Sequence, residues 1–158
     1  MRVIENLQLH RERTALLVID VQTRLSGAMP QDRLATVQRN TVVLIEAAKV
    51  LGMPVFVTEQ YPKGLGPTVP EVAAALPEGQ TIHEKVCFSC TGVRELMHEI
   101  RKTDAEQLLL AGQETHVCVY QTARDLLGTG FAVHVVEDAV ISRTPENHAL
   151  GLRLVERA

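Results

Sequence analysis

An acid, an amine and a thiol each lie shortly after a segment that could form a β-strand. Asp20 follows the apolar run LLVI, Lys85 follows TIHE, and Cys118 lies a few residues beyond LLLA. A carboxylate beside a thiol can accept the thiol's proton, and a nearby ammonium stabilises the negative charge that results. Together these residue types can form an activated sulfur nucleophile without a catalytic histidine.

Each of the three residues also has an ordinary structural interpretation. A strand-terminal aspartate commonly caps a turn, a lone lysine is commonly solvated, and a helical cysteine commonly packs as a small hydrophobic residue. Two arguments favour a catalytic role for these residues. Burying Asp20 after an apolar strand is costly unless a cation such as Lys85 meets it. Cys118 is predicted to start a helix, where free backbone N–H groups and the helix dipole should lower the pKa of the thiol.

Short runs of β-branched and apolar residues predict the strands that would carry these side chains. The runs cover residues 15–19, 54–58, 107–111 and 132–136, with a weaker one at 81–86. Their almost continuous hydrophobicity is typical of strands that are buried on both faces. Segments with helical periodicity alternate with the strands, at residues 34–51, 93–101, 116–127 and 145–157.

This alternation predicts a doubly wound, mostly parallel α/β sheet flanked by helices on both faces, a Rossmann-like three-layer sandwich. We expect the strand order 3-2-1-4-5, with ligands bound beyond the carboxyl ends of the strands where the order reverses. Strands 1 and 4 would then be neighbours. Asp20 and Cys118 would meet at that point, and Lys85 would reach in from the third strand.

Length and composition indicate one ordinary globular domain that spans residues 1–158. The chain has 46% hydrophobic and 22% charged residues, and single cores stop growing only beyond roughly 250 residues. Sixteen Lys and Arg against 19 Asp and Glu give a net charge of -3, so nucleic acid is not the expected partner.

The sequence also predicts a cytoplasmic protein without a membrane partner. The N-terminal stretch MRVIENLQLHRERT lacks the apolar core of a signal peptide. No apolar run approaches the roughly 20 residues that cross a bilayer. Three cysteines, an odd number, fit a reducing compartment in which thiols stay free.

Four longer segments carry a family resemblance. They are LLVIDVQ at 16–22, TEQYPKGLGPTVPE at 58–71, KVCFSC at 85–90 and GQETHVCVYQTARDLL at 112–127. Together they resemble the isochorismatase-like cysteine hydrolases, and most closely the isochorismatase domain-containing subgroup. The resemblance implies Asp20 as general base, Lys85 as charge stabiliser and Cys118 as nucleophile. It also implies a cis peptide bond between Gln113 and Glu114, and an oxyanion hole formed by the backbone N–H groups of Glu114 and Cys118.

Two departures from neighbouring subgroups narrow the activity that the resemblance implies. Nicotinamidases carry a metal site built from an aspartate and histidines, but residues 58–68 contain no histidine. True isochorismatases lack the cysteine nucleophile, whereas Cys118 is present here. We therefore expect hydrolysis of a small amide or related carbonyl compound through a thioester on Cys118, with no metal and no cofactor.

Residues around the three central side chains have less certain roles. Gln22, Gln60 and Tyr61 are candidates for contact with a substrate, although Gln22 could instead orient Asp20 or cap the loop. The loop at 60–70 is rich in Gly and Pro and is expected to be either a lid or a rigid connection. Glu114 would oppose ionisation of Cys118 if it faced the sulfur, so we expect its side chain to be turned away or paired.

Two alternatives rest on Cys87 and Cys90, which form a C-x-x-C motif. The motif is typical of dithiol redox proteins, although it follows the third predicted strand and not the first. A zinc site that includes His83 would lack a fourth ligand at a recognised spacing. A third alternative is a catalytically inactive scaffold that binds a partner through an oligomer surface.

The C-terminal end of the sequence bears on assembly. The resemblance implies a further strand after the last helix, but the chain stops at LVERA, so either the sequence is truncated or the sheet lacks its sixth strand. A missing sixth strand would leave the strand at 132–136 with an open apolar edge. We therefore expect a homo-oligomer.

Overall fold

The computed structural model describes residues 7–158, and its centre is a five-stranded sheet. The strands are β1 (Thr14–Ile19), β2 (Val55–Gln60), β3 (Ile82–Lys85), β4 (Gln107–Gln113) and β5 (Ala132–Ile141). Neighbouring strands are parallel, and their order is β3-β2-β1-β4-β5. The predicted α/β class and the predicted strand order are confirmed.

Seven α-helices alternate with the strands in the described part of the chain. They are α1 (Thr23–Ser26), α2 (Gln31–Leu51), α3 (Pro62–Leu65), α4 (Pro70–Ala75), α5 (Arg94–Lys102), α6 (Tyr120–Gly128) and α7 (Pro145–Glu156). A π-helical turn, Thr115–Val119, leads into α6, and 3-10 turns cover Arg11–Arg13 and Cys90–Gly92. Helices α2, α5, α6 and α7 were predicted, whereas α1, α3 and α4 are too short to show a period of 3.6 residues.

Helix boundaries follow local chemistry. Thr144 caps α7 by accepting a hydrogen bond from the Asn147 N–H group, and Pro145 takes the first helical position, as the sequence predicts. At the end of α2, Gly52 adopts a left-handed conformation with φ 69°, which glycine enters without a Cβ clash.

The central strand β1 divides the core into two layers. All six of its residues are buried. Because side chains alternate along a strand, Leu17 packs with α5 and α6 on one face, whereas Leu16 and Val18 pack with α2 and α4 on the other. The three-layer arrangement therefore follows from a strand that is apolar on both faces.

The contact between β1 and β4 sets the geometry of the sheet's carboxyl edge. Ile19 pairs with Gly112 in the parallel register, and a Cβ atom on Gly112 would lie 1.9 Å from the Ile19 carbonyl oxygen. Gly112 also has φ 125°, so a side chain here is excluded both by space and by backbone conformation. The two strands that carry Asp20 and Cys118 can approach this closely because position 112 is glycine.

The strand β5 lies at one edge of the described sheet and pairs with β4. Among residues 7–158, no helix combines the length and the apolar character that a membrane crossing requires.

Candidate active site

Asp20, Lys85 and Cys118 meet at the carboxyl end of the sheet. The Lys85 Nζ atom lies 2.6 Å from Asp20 Oδ2 and 3.5 Å from Cys118 Sγ. Asp20 is 0% exposed, Lys85 4% and Cys118 6%. An acid, an amine and a thiol that are far apart in sequence therefore form one buried cluster.

Lys85 is the centre of this cluster. Its ammonium group donates to Gln60 Oε1 at 2.9 Å and lies within hydrogen-bond distance of the carbonyl oxygens of Cys87, at 3.2 Å, and Phe88, at 3.1 Å. Gln60 and Lys85 are register partners in the β2–β3 pair, which explains why their side chains meet. These oxygens and the Asp20 carboxylate hold the ammonium in place beside the sulfur.

Asp20 is fixed at its backbone and at its carboxylate. It has φ 54°, an uncommon left-handed conformation that aspartate tolerates better than most residues. Its N–H group donates to the Thr58 carbonyl oxygen at 3.1 Å, and its Oδ1 atom accepts from the Thr58 hydroxyl at 2.7 Å. The carboxylate therefore has a partner on each oxygen, with Thr58 at Oδ1 and Lys85 at Oδ2.

The buried cluster shifts the pKa of each member. Burial raises the pKa of Asp20 above its ordinary value, although Lys85 and Thr58 oppose the shift. Burial opposes the charged form of Lys85, but the Asp20 carboxylate and the nearby thiols raise the pKa of Lys85. Burial, reinforced by the Asp20 charge, raises the pKa of the Cys118 thiol to about 12 against the opposing effect of Lys85.

The sequence prediction of a lowered thiol pKa is therefore wrong. Burial and the Asp20 charge raise the pKa, and Lys85 only partly opposes them. In this state Cys118 is a neutral thiol beside a buried carboxylate.

The turn that carries Cys118 is held by backbone contacts. The Gln113–Glu114 peptide bond is cis, and the Glu114 carbonyl oxygen accepts from the N–H groups of Val117 at 3.0 Å and Val119 at 3.2 Å. Helix α7 packs directly on this turn: a Cβ atom on Gly151 would lie 2.7 Å from backbone atoms of Thr115 and His116. Backbone hydrogen bonds within the turn and the packing of α7 against it therefore both fix the position of the turn that carries Cys118.

The Glu114 side chain is paired, as the sequence predicts. Its Oε2 atom accepts from the Arg143 N–H group at 3.0 Å, and its Oε1 atom lies 3.1 Å from the Arg143 guanidinium. These contacts hold the carboxylate of Glu114 on Arg143.

The three candidates for substrate contact have different environments. Gln22 is fully buried, and its Nε2 atom donates to the carbonyl oxygens of Gln60, at 3.0 Å, and Gly66, at 2.7 Å. Its Oε1 atom accepts from the Gln60 N–H group at 2.7 Å. Gln22 is therefore a clamp for the loop after β2, and the expectation of a substrate contact from it is not supported by this geometry.

Of the other two candidates, Gln60 is the last residue of β2 and Tyr61 follows it. Gln60 directs its side-chain oxygen to Lys85, so it touches the cluster itself. Tyr61 is 54% exposed and is the candidate of the three that is open to a ligand. The loop is bonded to the segment after β1 through Thr23 N–H to Pro67 O at 2.9 Å and a bridge between Gln22 and Thr68, which favours a rigid connection over a lid.

The C-x-x-C motif does not present a matched pair of thiols. Cys87 is exposed, whereas Cys90 is 1% exposed and belongs to the core. His83 bonds to Glu99 at 3.1 Å. Within residues 7–158, no group of three or more His, Cys, Asp or Glu side chains is arranged to hold a metal ion, so neither the redox nor the zinc alternative gains support.

Sequence reasoning missed the role of Thr58, although a signal was available. Alternate residues of a strand share a face, so Thr58 and Gln60 lie on the same face of β2. Both contact the cluster, Thr58 at Asp20 and Gln60 at Lys85. A polar residue at the carboxyl end of a strand, two residues before another site residue, is the pattern that could have identified it.

The fold and the site together define an α/β protein with a buried thiol, carboxylate and ammonium at the point where the strand order reverses. The Isochorismatase domain model matches residues 14–158, and the chain belongs to this family. Family membership indicates a hydrolase.

Relatives agree with this assignment. The chain is 39% identical over 141 residues to isochorismatase domain-containing protein 2 of Danio rerio, covering 88% of this chain and 68% of that protein. It spans about half the length of several further curated relatives.

Solved structures show the same fold. The structure titled as MAR1 ribonuclease from Caenorhabditis elegans has a TM-score of 0.88 and 35% identity, and the match covers 95% of this chain and 76% of that one. YcaC from Pseudomonas aeruginosa, whose title describes hexane-2,5-diol and covalent acrylamide, has a TM-score of 0.88 at 24% identity, with coverage of 95% and 75%. The likeness to YcaC concerns the fold alone.

Proposed function

We propose that the protein is a metal-independent cysteine hydrolase of a small amide or related carbonyl compound. Cys118 is the nucleophile, Asp20 the general base and Lys85 the charge stabiliser. The observation that carries the proposal is the single contact cluster formed by these three side chains. Family membership supports hydrolysis, and the thiol favours attack on an acyl carbon.

The first half-reaction forms a thioester. The Cys118 sulfur attacks the carbonyl carbon while its proton moves to the Asp20 carboxylate, and the C=O electron pair moves onto oxygen. The backbone N–H groups of Glu114 and Cys118 are proposed to stabilise this oxyanion. When the tetrahedral intermediate collapses, the C–N bond breaks, and the departing nitrogen takes the proton from Asp20.

The second half-reaction returns the enzyme to its starting state. A water molecule attacks the thioester carbon and gives a proton to Asp20. The C–S bond then breaks, the carboxylic acid leaves, and the proton on Asp20 returns to the Cys118 sulfur. Lys85 stays protonated throughout and offsets the negative charge that passes between sulfur and carboxylate.

The shifted pKa values fit this mechanism. Burial and the Asp20 charge raise the pKa of Cys118 to about 12, so the thiol stays neutral until a substrate is present. Burial also raises the pKa of Asp20, which makes the carboxylate a stronger base. Asp20 therefore needs to accept the proton during attack, because a preformed thiolate is scarce at neutral pH.

We also propose that the substrate is a small molecule and that the protein acts in the cytoplasm as a homo-oligomer. One structural relative is titled as a ribonuclease, but the net charge of -3 of this chain does not favour a phosphate backbone as ligand. A single-stranded RNA oligonucleotide therefore belongs in any substrate screen as a competing arm.

The proposal can be tested with p-nitrophenyl acetate as an acyl probe and with a panel of small aliphatic and aromatic amides. Wild type should release nitrophenolate, and Cys118→Ala and Asp20→Asn should lose that catalysis. Cys87→Ala is the matched control, because Cys87 is an exposed thiol and should keep the wild-type rate. Wild-type turnover by Cys118→Ala would exclude the covalent route, and RNA cleavage without amide hydrolysis would exclude the substrate class.

A further inference from the structure

We infer that Thr58 is a positioning residue for the general base: its hydroxyl holds one Asp20 oxygen so that the other stays available to the Cys118 proton. This inference rests on the proposed function, in which Asp20 accepts that proton. It assigns a role to a residue that does not belong to the acid, amine and thiol cluster.

The contacts of Asp20 make its two oxygens unequal. Oδ1 accepts the Thr58 hydroxyl proton at 2.7 Å. Oδ2 lies 2.6 Å from the Lys85 ammonium, which is also 3.5 Å from the Cys118 sulfur. Oδ2 therefore shares Lys85 with the nucleophile, whereas Oδ1 is held by Thr58.

Thr58 is well placed for this task by the register of the sheet. It pairs with Ile19 across β1 and β2, one residue before Asp20, and its carbonyl oxygen also accepts the Asp20 N–H group at 3.1 Å. Both side chains are fully buried. Thr58 thus holds Asp20 through backbone and side chain, which limits rotation of the carboxylate.

The Thr58 hydroxyl needs a hydrogen-bond partner because it is fully buried. Buried parallel strands favour β-branched hydrocarbon side chains, and β2 has valine at positions 55 and 57. Valine would have the shape of threonine at position 58 without a polar atom. A buried hydroxyl is costly unless it is hydrogen-bonded, and its partner here is the carboxylate.

The Thr58 hydroxyl has a second contact, and the Asp20 carboxylate decides which way its proton points. The Cys90 sulfur lies 3.7 Å from Thr58 Oγ1. Because an ionised carboxylate only accepts hydrogen bonds, the threonine proton goes to Asp20 and the Cys90 S–H group donates to Thr58. Burial raises the pKa of Cys90 to about 12, which keeps that donor protonated. Both hydrogen bonds in the series from Cys90 through Thr58 to Asp20 therefore have their donors directed toward the carboxylate.

Removal of the hydroxyl should move the pH dependence of acylation. Without the Thr58 donor the ionised form of Asp20 loses stabilisation, so protonation of the base occurs at higher pH. A hydrogen bond to a charged group corresponds to about a tenfold to hundredfold change in an equilibrium constant, or a shift of about one to two pH units. The acid limb of kcat/KM should therefore shift upward by that amount.

The experiment compares wild type, Thr58→Val, Thr58→Ser and Asp20→Asn with p-nitrophenyl acetate. Acylation is followed from about pH 5 to about pH 9 at the wavelength where nitrophenol and nitrophenolate absorb equally. We expect Thr58→Val to shift the acid limb upward and Thr58→Ser to restore it. A merely structural role would lower the amount of active enzyme without moving the midpoint. If Thr58→Val does not fold, Thr58→Ala takes its place in the same comparison.

The outcomes separate the two hypotheses. If Asp20→Asn loses turnover but Thr58→Val keeps the wild-type midpoint, the inference on Thr58 is overturned and the proposed function stands. If Thr58→Ser shows the same shift as Thr58→Val, the hydroxyl is not the cause and the inference also fails. If Asp20→Asn turns over the acyl probe at the wild-type rate, the proposed function itself fails.

Discussion

Substitution of Asp20 by asparagine should have opposite effects on the ionisation of the thiol and on turnover. Asparagine keeps the size of the side chain and removes its charge and its basicity. The Asp20 charge is one of the two main causes that raise the pKa of Cys118 to about 12, and Lys85 opposes it. With the carboxylate gone, burial remains and the Lys85 ammonium acts on the sulfur without a competing charge.

The size of the effect follows from the contacts of Lys85. Its Nζ atom lies 2.6 Å from Asp20 Oδ2 and 3.5 Å from Cys118 Sγ, so the oxygen and the sulfur are at most about 6 Å apart. At an effective dielectric constant of about 20, two unit charges at about 6 Å interact by about 3 kcal/mol, which is about 2 pKa units. The pKa of Cys118 should therefore fall by about 2 units.

The assay is alkylation by iodoacetamide at a fixed pH near 8.5, with each cysteine quantified by peptide mass spectrometry. The thiolate fraction at Cys118, and with it the alkylation rate, should rise by about a hundredfold in Asp20→Asn. The exposed thiol of Cys87 serves as the internal reference. Hydrolysis of the acyl probe should be lost in the same variant, because no base remains to take the proton from the water that attacks the thioester.

This pair of opposite changes is a demanding test. Alkylation of Cys118 that is unchanged or slower in Asp20→Asn would show that the Asp20 charge is not what keeps the thiol neutral. Faster alkylation together with intact hydrolysis would support the electrostatics and contradict the role of Asp20 as base.

Three further substitutions test the structural basis of the site. Lys85→Met leaves the Asp20 carboxylate buried without its cation and should lower the free energy of unfolding by about 3 to 5 kcal/mol in urea; adding Asp20→Asn should recover part of this loss, and no recovery would contradict the ion pair. Gly151→Ala places a Cβ atom 2.7 Å from the backbone of the nucleophile's turn and should cost about 1 to 3 kcal/mol, seen as a lower Tm and slower acylation. Gly128→Ala has nothing within 4 Å and is its control, so equal effects would exclude the packing argument. Gln22→Ala should open the loop after β2 to limited proteolysis, because three hydrogen bonds are lost, and unchanged cleavage would show that the clamp is unimportant.

The sequence predicts the fold well because its pattern is mainly one of burial. Apolar runs that alternate with amphipathic segments have few arrangements other than a parallel sheet covered on both faces. The meeting of Asp20 with Cys118 follows from the same pattern, since ends of adjacent parallel strands share an edge. The helices at Thr23–Ser26 and Pro62–Leu65 escape prediction because four residues make little more than one turn.

The properties of the site that depend on burial were not predictable from spacing. The position of Cys118 near a helix start suggests an easily ionised thiol, but the structure buries it beside a carboxylate, and desolvation reverses the shift of its pKa. For Gln22 the sequence leaves both a substrate contact and a loop cap open, and only the structure shows its amide bonded to the loop backbone. Both outcomes depend on which atoms surround a side chain after folding, and residue order alone does not give this.

The most direct test of the central claim is to trap the acyl group on its proposed carrier. Wild type mixed with p-nitrophenyl acetate is quenched in acid before the thioester hydrolyses, and peptide mass spectrometry locates the acetyl group. We expect acetylation of Cys118 that decays with the kinetics of turnover and is absent from Cys118→Ser. Acetylation of Cys87 alone, or continued hydrolysis with no adduct on Cys118, would contradict it.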